Sequence, residues 1–175
     1  MSNPYSTPTT DDPAQQVVVQ EHVRANQIVT AALCMGVLVF MGIVLTLQQG
    51  QLDGEPDVLS WMGIGAAVMM YANHLIIPRL LQAVELKKLS AERIREADDA
   101  ERWNLIAPIY RTQHIVGSAI LEGAAFFNLV AYMVEPFAGN LIAAAVLLVV
   151  LALKIPTATR MQFWVQDRAR ELELS

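Results

Sequence analysis

The chain has 175 residues, of which 54% are hydrophobic, and a formal net charge of -5 at pH 7. Its mean hydropathy of +0.38 is high enough that a membrane protein is the first class to consider. The negative charge argues against a nucleic-acid-binding protein, which needs a broad basic surface. Cys34 is the single cysteine, so no disulfide can form within the chain.

Four apolar stretches are each close to the roughly 20 residues that a helix needs to cross about 30 Å of hydrocarbon. They run from Gln27 to Leu47, Val58 to Ile77, Ile109 to Val134 and Phe137 to Ile155. A long, polar and acidic leader precedes the first stretch, which is unlike a cleaved secretory signal. The sequence therefore predicts an all-α membrane protein with four transmembrane helices.

The polar segments divide the chain into five parts. We predict a flexible cytoplasmic tail, a first transmembrane hairpin, a cytoplasmic helical linker, a second hairpin and a cytoplasmic C-terminal helix, over residues 1–23, 24–78, 79–107, 108–156 and 157–175. The tail has too little apolar surface to offset the entropy of ordering. The linker and the C-terminal helix have mixed charges, typical of solvated helices along a membrane face, and a docking surface for a partner is the alternative.

All twelve basic residues lie in the tails, in the linker or at the adjoining helix ends: Arg24, Arg79, Lys87, Lys88, Arg93, Arg95, Arg102, Arg111, Lys154, Arg160, Arg168 and Arg170. The opposite connections, 48–57 and 135–136, contain four acidic residues and no basic one. Because Lys and Arg resist translocation, both termini and the linker are predicted to be cytoplasmic. The expected location is an inner membrane of the bacterial type.

The two hairpins repeat each other in sequence. A shift of 87 residues superposes Arg24 on Arg111 and Gly36 on Gly123, and a shift of 78 superposes Pro78 on Pro156. Since both copies begin on the same side, we predict a parallel duplication with a pseudo-two-fold axis along the membrane normal. Each proline is expected at a helix exit, where freed backbone groups find other partners.

Glu122 is the candidate ion- or proton-binding residue. It lies roughly 16 Å beyond Arg111 along a helix and so near mid-membrane, where a charged carboxylate costs about 3 kcal/mol. Ser118, one turn earlier, is expected to share a hydrogen bond with it. Intramembrane acids mark proton and ion pathways, and the alternative is a structural hydrogen bond that holds the bundle together. The first-copy equivalent is Met35, so the acid is single.

Asn73, His74 and His114 form a second polar group near the cytoplasmic ends of the second and third helices. They are a possible polar relay toward Glu122, and interhelical hydrogen bonds are the alternative. Asn128 and Tyr132 either continue a polar path or, for the tyrosine, anchor the interface. Two histidines without clustered cysteines do not predict a metal site, and no nucleotide, thiol or nucleophile motif predicts a cofactor or an enzyme.

The stretch Arg111 to Glu135, RTQHIVGSAILEGAAFFNLVAYMVE, resembles the carboxylate-bearing helix of the rotor-ring proteolipid (c) subunits of rotary ATP synthases. Those helices have small residues leading to an acid, a pattern that Gly117, Ala119 and Glu122 match here. The resemblance is confined to this helix. It implies that Glu122 binds a proton or a cation, and a duplicated form with one acid is similar to the vacuolar proteolipids.

The sequence thus leads to two functional hypotheses. In the first, the chain is a small, proteolipid-like membrane subunit that forms a homo-oligomer or joins a larger membrane complex and binds a proton or cation at Glu122. In the second, it is a structural or assembly subunit of such a complex, without transport activity. Neither hypothesis includes an enzymatic activity, a cofactor or a partner other than the lipid bilayer and membrane proteins.

Overall fold

The computed structural model describes residues 13–89, 97 and 99–173. This part of the chain contains five helices: α1 (Pro13–Leu47), α2 (Val58–Lys87), α3 (Asp99–Val134), α4 (Ala138–Leu153) and α5 (Ala158–Glu173). The protein is therefore all-α over the described ranges, as predicted. Most of the predicted tail, and residues 90–96 and 98 of the predicted linker, lie outside the described residues.

Three of these helices are long and apolar enough to cross a membrane: α1 over Gln20–Leu47, α2 over its full length and α3 over Glu101–Val134. The fourth predicted span corresponds to α4, which has only 16 residues. It passes the same test only when it is joined to α5, toward which the chain bends by 72°. The described residues thus contain three candidate spans, or four if the bent pair counts as one.

The helix boundaries differ from the predicted segments at two places. α1 begins at Pro13, within the predicted tail, and proline suits a first helical turn because its missing N–H would have no partner there. α2 continues through Pro78 to Lys87, so the expectation that Pro78 ends a helix is wrong. A Cβ on Gly117 of α3 would lie 3.2 Å from Cγ of Pro78, and this glycine therefore makes room for the proline ring. Pro156 does lie beyond the end of α4.

α3 is the central helix of the bundle and packs against α1, α2, α4 and α5. In the apolar stretch of α3 that could cross a membrane, 50% of the residues are buried, compared with 17% in the corresponding stretches of α1 and α2. α1 and α2 each pack against α3 rather than against each other, whereas α3 and α4 form a packed pair. The two predicted hairpins therefore differ in their helix packing, although their sequences repeat.

Two apolar clusters fill the bundle. The first joins four helices at mid-bundle and is rich in small residues of α3, which allow close backbone approach; its buried members are Val37, Ala67, Leu121, Ala124, Ala125, Leu129, Ala144, Leu147 and Leu151. The second cluster holds α5 against α1 and α3, with buried Val23, Trp103, Ile106, Ala107, Met161 and Val165. The C-terminal helix is thus part of the packed structure.

The connections 48–57 and 135–137 meet at one end of the bundle, here called the acidic end. The Gly54 N–H donates a 3.1 Å hydrogen bond to the Pro136 carbonyl, and the Tyr132 hydroxyl donates to the Gln51 carbonyl. Tyr132 is fully buried, so it braces this connection and does not anchor an interface. The opposite end, with Arg79, Lys154 and α5, is called the basic end.

Glu135, just after α3, caps the first turn of α2. Its carboxylate accepts hydrogen bonds from the backbone N–H groups of Asp57 at 3.2 Å, Leu59 at 3.2 Å and Ser60 at 2.8 Å. These are donors that a helix leaves unsatisfied at its N-terminus. The neighbouring Ser60 hydroxyl, together with these N–H groups, holds the pKa of Glu135 below its usual range.

The close approach at Gly54 predicts that this position does not tolerate a side chain. A Cβ there would lie 2.8 Å from the carbonyl carbon of Pro136 and 2.9 Å from its oxygen. We expect Gly54→Ala to destabilise the fold by about 1–3 kcal/mol, as overpacking does. Thermal unfolding in detergent micelles measures this. Gly65→Ala in α2 is the control, because its Cβ would meet nothing within 4 Å. This variant should be as stable as wild type or more stable. An equal loss of stability in Gly54→Ala and Gly65→Ala would contradict the prediction.

The Glu135 cap predicts a pH-dependent stability. Because folding lowers the pKa of Glu135, its stabilising contribution is complete above the unfolded value of roughly 4.3 and is lost as the pH falls through the folded value. We expect Glu135→Gln to lower the unfolding midpoint at pH 7, and the difference from wild type to shrink below about pH 4. Circular dichroism in micelles from pH 7 to 3 tests this. Glu55→Gln, exposed in the same region, should have no effect at either pH.

Candidate functional site

Glu122 lies on α3 at its seam with α1 and is half-buried. A Cβ on Gly36 of α1 would lie 3.6 Å from the Glu122 Oε1 atom and 3.7 Å from Cζ of Phe126. The Phe126 ring packs in turn against Phe40, with centroids 5.3 Å apart. The carboxyl therefore lies in the seam between α1 and α3 beside Gly36, with the Cys34 thiol also nearby.

No hydrogen bond or ion pair joins the Glu122 carboxyl to any other described residue. The Ser118 hydroxyl is fully buried and also has no hydrogen-bond partner in the described part of the chain. The expected hydrogen bond between the two side chains is thus not formed. Both polar groups are therefore without a hydrogen-bond partner within the described part of the chain.

A second polar region lies at the basic end, where a cavity of about 300 Å³ opens to the surface between α2, α3 and the α4–α5 bend. We call it the basic cavity. Its lining contains no acidic residue and consists of His74, Leu75, Pro78, Arg79, Tyr110, Gln113, His114, Lys154 and Arg160. Arg79 and Arg160 are exposed at its mouth, and the two histidines are buried within. The cavity is therefore open to solvent or lipid and carries positive charge.

Lys154 and His74 are in contact inside the basic cavity. The Lys154 Nζ atom lies 3.1 Å from His74 Nδ1 and 3.3 Å from His74 Nε2. An ammonium group can only donate, so the histidine nitrogen that it contacts must be an unprotonated acceptor. A Cβ on Gly117 would lie 3.3 Å from Nζ and 3.4 Å from Nδ1, and this glycine therefore leaves room for the pair.

His114 is held by a chain of hydrogen bonds to α1. The Thr30 hydroxyl donates to the Asn26 carbonyl at 2.9 Å and lies 2.8 Å from His114 Nε2. Which of Thr30 and His114 donates in the second contact depends on the histidine tautomer. The two contacts fix the His114 ring against α1.

Aromatic rings close the basic cavity on the side of α5. The Tyr110 ring stacks on His114 with centroids 6.2 Å apart and planes at 7°. Trp164 of α5 contacts Tyr110 at 5.2 Å, and the Arg168 guanidinium lies 6.0 Å from the Trp164 ring. The α5 helix thus positions the histidine through stacked rings, and the tertiary structure brings this helix to the site.

Asn128 and Asn140, toward the acidic end of the bundle, contact α2 at Gly63. The Asn128 amide donates to the Gly63 carbonyl at 3.0 Å and to the Ala124 carbonyl at 2.9 Å. A Cβ on Gly63 would lie 3.1 Å from the side-chain oxygens of both Asn128 and Asn140. These contacts join α2, α3 and α4, which favours interhelical packing over a polar path toward the acidic end.

The structure groups the predicted site residues differently from the sequence. His74 and His114 line the same cavity, but Asn73 and Glu122 do not line it. Glu122 is eight residues beyond His114, or roughly 12 Å along α3. The relay from the histidines to Glu122 stays a prediction.

Lys154 was not predicted as a site residue, because a lysine at a helix end indicates only orientation. One signal was present in the sequence, since the shift of 78 residues places Lys154 on the apolar Ile76. Arg79 and Arg160 were missed in the same way, as positive charges at helix ends whose convergence on one cavity depends on the tertiary fold.

Among the described residues, no three His, Cys, Asp or Glu side chains come together as a metal-ligand set. Comparison with protein-family models, curated proteins and solved structures finds no match to this chain. The resemblance of α3 to rotor-ring helices therefore stays an expectation from its sequence pattern.

Proposed function

We propose that this chain is a small, non-enzymatic subunit of a membrane assembly that binds a proton at Glu122. In this proposal α4 is the fourth transmembrane helix, both termini are cytoplasmic and the membrane is an inner membrane of the bacterial type. The assembly is a homo-oligomer or a larger membrane complex. The repeat in the sequence supports an origin by duplication of a hairpin, after which the two copies came to pack differently.

The isolation of the Glu122 carboxyl is the observation that supports proton binding. A carboxyl that stabilises a membrane helix bundle is expected to form a hydrogen bond with a neighbouring helix, because a polar group without a hydrogen bond is costly in hydrocarbon. Glu122 has no such partner in the described part of the chain and is only half-buried. A carboxyl at this depth can exchange a proton more readily than it can hold an unpaired charge.

The surroundings of Glu122 favour a proton over a metal ion. Hard cations need several oxygen ligands, and six to eight surround a bound Ca²⁺. Gly36 and Cys34 of α1 lie near the carboxyl and offer no side-chain oxygen, and no described oxygen forms a hydrogen bond with it. A proton needs only one carboxylate oxygen, so it is the ion that the geometry of this chain can bind without help from another subunit.

A structural or assembly role is the second candidate function. α1 and α2 expose large apolar side chains on faces that other helices of this chain do not cover, such as Met35, Leu38 and Ile43 of α1 and Met62 and Val68 of α2. These faces suit either lipid or the helices of a larger complex. If the protein has a structural or assembly role, proton binding at Glu122 is not needed for its function. The two candidate functions can therefore be separated by testing Glu122.

The one-sided basic residues predict the orientation. In a Cys34→Ser background, a membrane-impermeant thiol reagent added outside intact cells should label a cysteine at Gln51 and not one at Lys88 or Arg170. Permeabilised cells provide the control, in which all three positions should react. Labelling of position 88 or 170 in intact cells would refute the proposed orientation.

Glu122→Gln and Glu122→Leu separate the two candidate functions. Because the carboxyl has no hydrogen-bond partner among the described residues, we expect the free energy of unfolding of both variants to lie within about 0.5 kcal/mol of the wild-type value. A hydrophobic carbodiimide, which reacts with protonated carboxyls, should label Glu122 in lipid bilayers, and labelling should fall as the pH rises. Both variants should lose the label.

Two results would overturn the proton-binding proposal. One is a carboxyl that stays unreactive over the whole pH range in which the protein is folded. The other is a free energy of unfolding that falls by about 1 kcal/mol or more in Glu122→Leu and does not change in Glu122→Gln. That result is expected if Glu122 has a polar partner that leucine leaves without a hydrogen bond. Glu55→Gln, an exposed acid in the connection between α1 and α2, is the control for labelling specificity and should leave it unchanged.

A further inference from the structure

A second, apolar cavity of about 390 Å³ lies between α2 and α4. We call it the apolar groove. Its lining contains no charged side chain and consists of Ile64, Ala67, Val68, Tyr71, Ala143, Val146, Leu147 and Val150. On α2 the lining residues extend from Ile64 to Tyr71, seven helical steps or roughly 10 Å. The groove is therefore an elongated apolar surface between two helices of the bundle.

The apolar groove leads into the basic cavity. On α2, Tyr71 of the groove is followed one turn later by His74 and Leu75 of the basic cavity. On α4, Val150 of the groove is followed one turn later by Lys154. The Tyr71 and His74 rings are in contact, with centroids 5.8 Å apart. The same two helices thus present an apolar surface that ends in a positively charged pocket.

The charge of the basic cavity is not neutralised within the described structure. Lys154, Arg79 and Arg160 line it, and none of them forms an ion pair with a described acidic residue. Lys154 is half-buried, and taking an ammonium group out of water without an anionic partner is costly. This arrangement therefore calls for an anion.

The cavity also contains an unpartnered hydrogen-bond acceptor. The Gln113 Oε1 atom is buried and has no hydrogen-bond partner among the described residues. A hydroxyl group on a ligand would satisfy it, because a hydroxyl donates one hydrogen bond. The polar requirements of the cavity are thus an anionic group with a hydroxyl beside it.

We propose that the α2–α4 face binds an anionic phospholipid, with its phosphate in the basic cavity beside Lys154, Arg79 and Arg160 and an acyl chain along the apolar groove. Basic pockets at the membrane surface between helices bind anionic head groups through this chemistry. A soluble phosphate compound would use the cavity alone and would leave the groove without an occupant. This lipid site shares no residue with Glu122 and is independent of proton binding there.

Native mass spectrometry of the full chain in detergent tests the proposal, with phosphatidylglycerol, phosphatidylcholine and glycerol 3-phosphate as probes. We expect phosphatidylglycerol to bind about tenfold more tightly than phosphatidylcholine, because only the former carries a net negative charge. Glycerol 3-phosphate should not displace it at equal concentration, because it lacks the acyl chains. Displacement by glycerol 3-phosphate would overturn the lipid assignment in favour of a soluble phosphate.

The charge contribution is tested with two exposed residues whose removal should not disturb folding. Arg79→Gln combined with Arg160→Gln should weaken phosphatidylglycerol binding by roughly tenfold. The control is Arg111→Gln combined with Arg170→Gln, which makes the same change in net charge with exposed residues outside the cavity lining, and it should alter binding by less than about twofold. Equal losses in the two double variants, or equal binding of the two phospholipids by wild type, would show non-specific attraction and overturn the proposal.

The groove is tested separately. Ala143→Phe places a large ring in the apolar groove and should weaken phosphatidylglycerol binding several-fold. Ala145→Phe, half-buried on α4 but outside the groove lining, is the matched control and should bind as wild type does. Thermal unfolding of both variants confirms that each is folded. If Ala143→Phe is folded and binds the lipid unchanged, the acyl chain does not occupy the groove and the proposal fails.

Discussion

Close approach of the other helices to α3 is the interaction on which the bundle depends. In a bilayer, lipid tails are as apolar as the side chains they replace, so helices associate through van der Waals packing and hydrogen bonds. Ala124 and Ala125 make the face of α3 small at mid-bundle. Glycines admit a larger group at two interfaces, where Gly63 faces the Asn128 amide and Gly117 faces the Pro78 ring. Gly36 faces the Glu122 carboxyl at ordinary contact distance.

The packing around α3 also places polar groups of different charge at the two ends of the bundle. At the acidic end, the Glu135 carboxylate meets the N-terminus of α2, where unpaired N–H groups and the helix dipole favour negative charge. At the basic end, Lys154 is the C-terminal cap residue of α4, where the dipole favours a cation. Glu135 and Lys154 thus each lie at a helix terminus that stabilises their charge, and the Glu122 carboxyl lies between them in the apolar middle.

The two proposed sites use different helix pairs. Glu122 faces the seam between α3 and α1, whereas the lipid site lies on α2 and α4 and extends to the bend before α5. Both sites depend on α3, because Gly117 provides the space for Lys154 and His74, and Glu122 follows five residues later on the same helix. A lipid on the α2–α4 face would therefore leave the α3–α1 seam at Glu122 uncovered.

Properties that are local along the chain could be predicted from the sequence. Helical class, the apolar segments of α1, α2 and α3 and the convergence of His74 and His114 near one end follow from hydropathy and position. The short fourth helix was predicted as an apolar segment, but its bend toward α5 was not, because a bend depends on what the following helix packs against.

Which face of each helix meets which neighbour was decided only by the tertiary structure. Soluble helices reveal their buried face through an apolar stripe, but membrane spans are apolar on all sides, so lipid-facing and buried positions look alike in sequence. For this reason the passage of α2 through Pro78, the separation of α1 from α2 and the burial of Tyr132 could not be predicted. The contact between Lys154 and His74 depends on the same helix orientations, since 80 residues separate them along the chain.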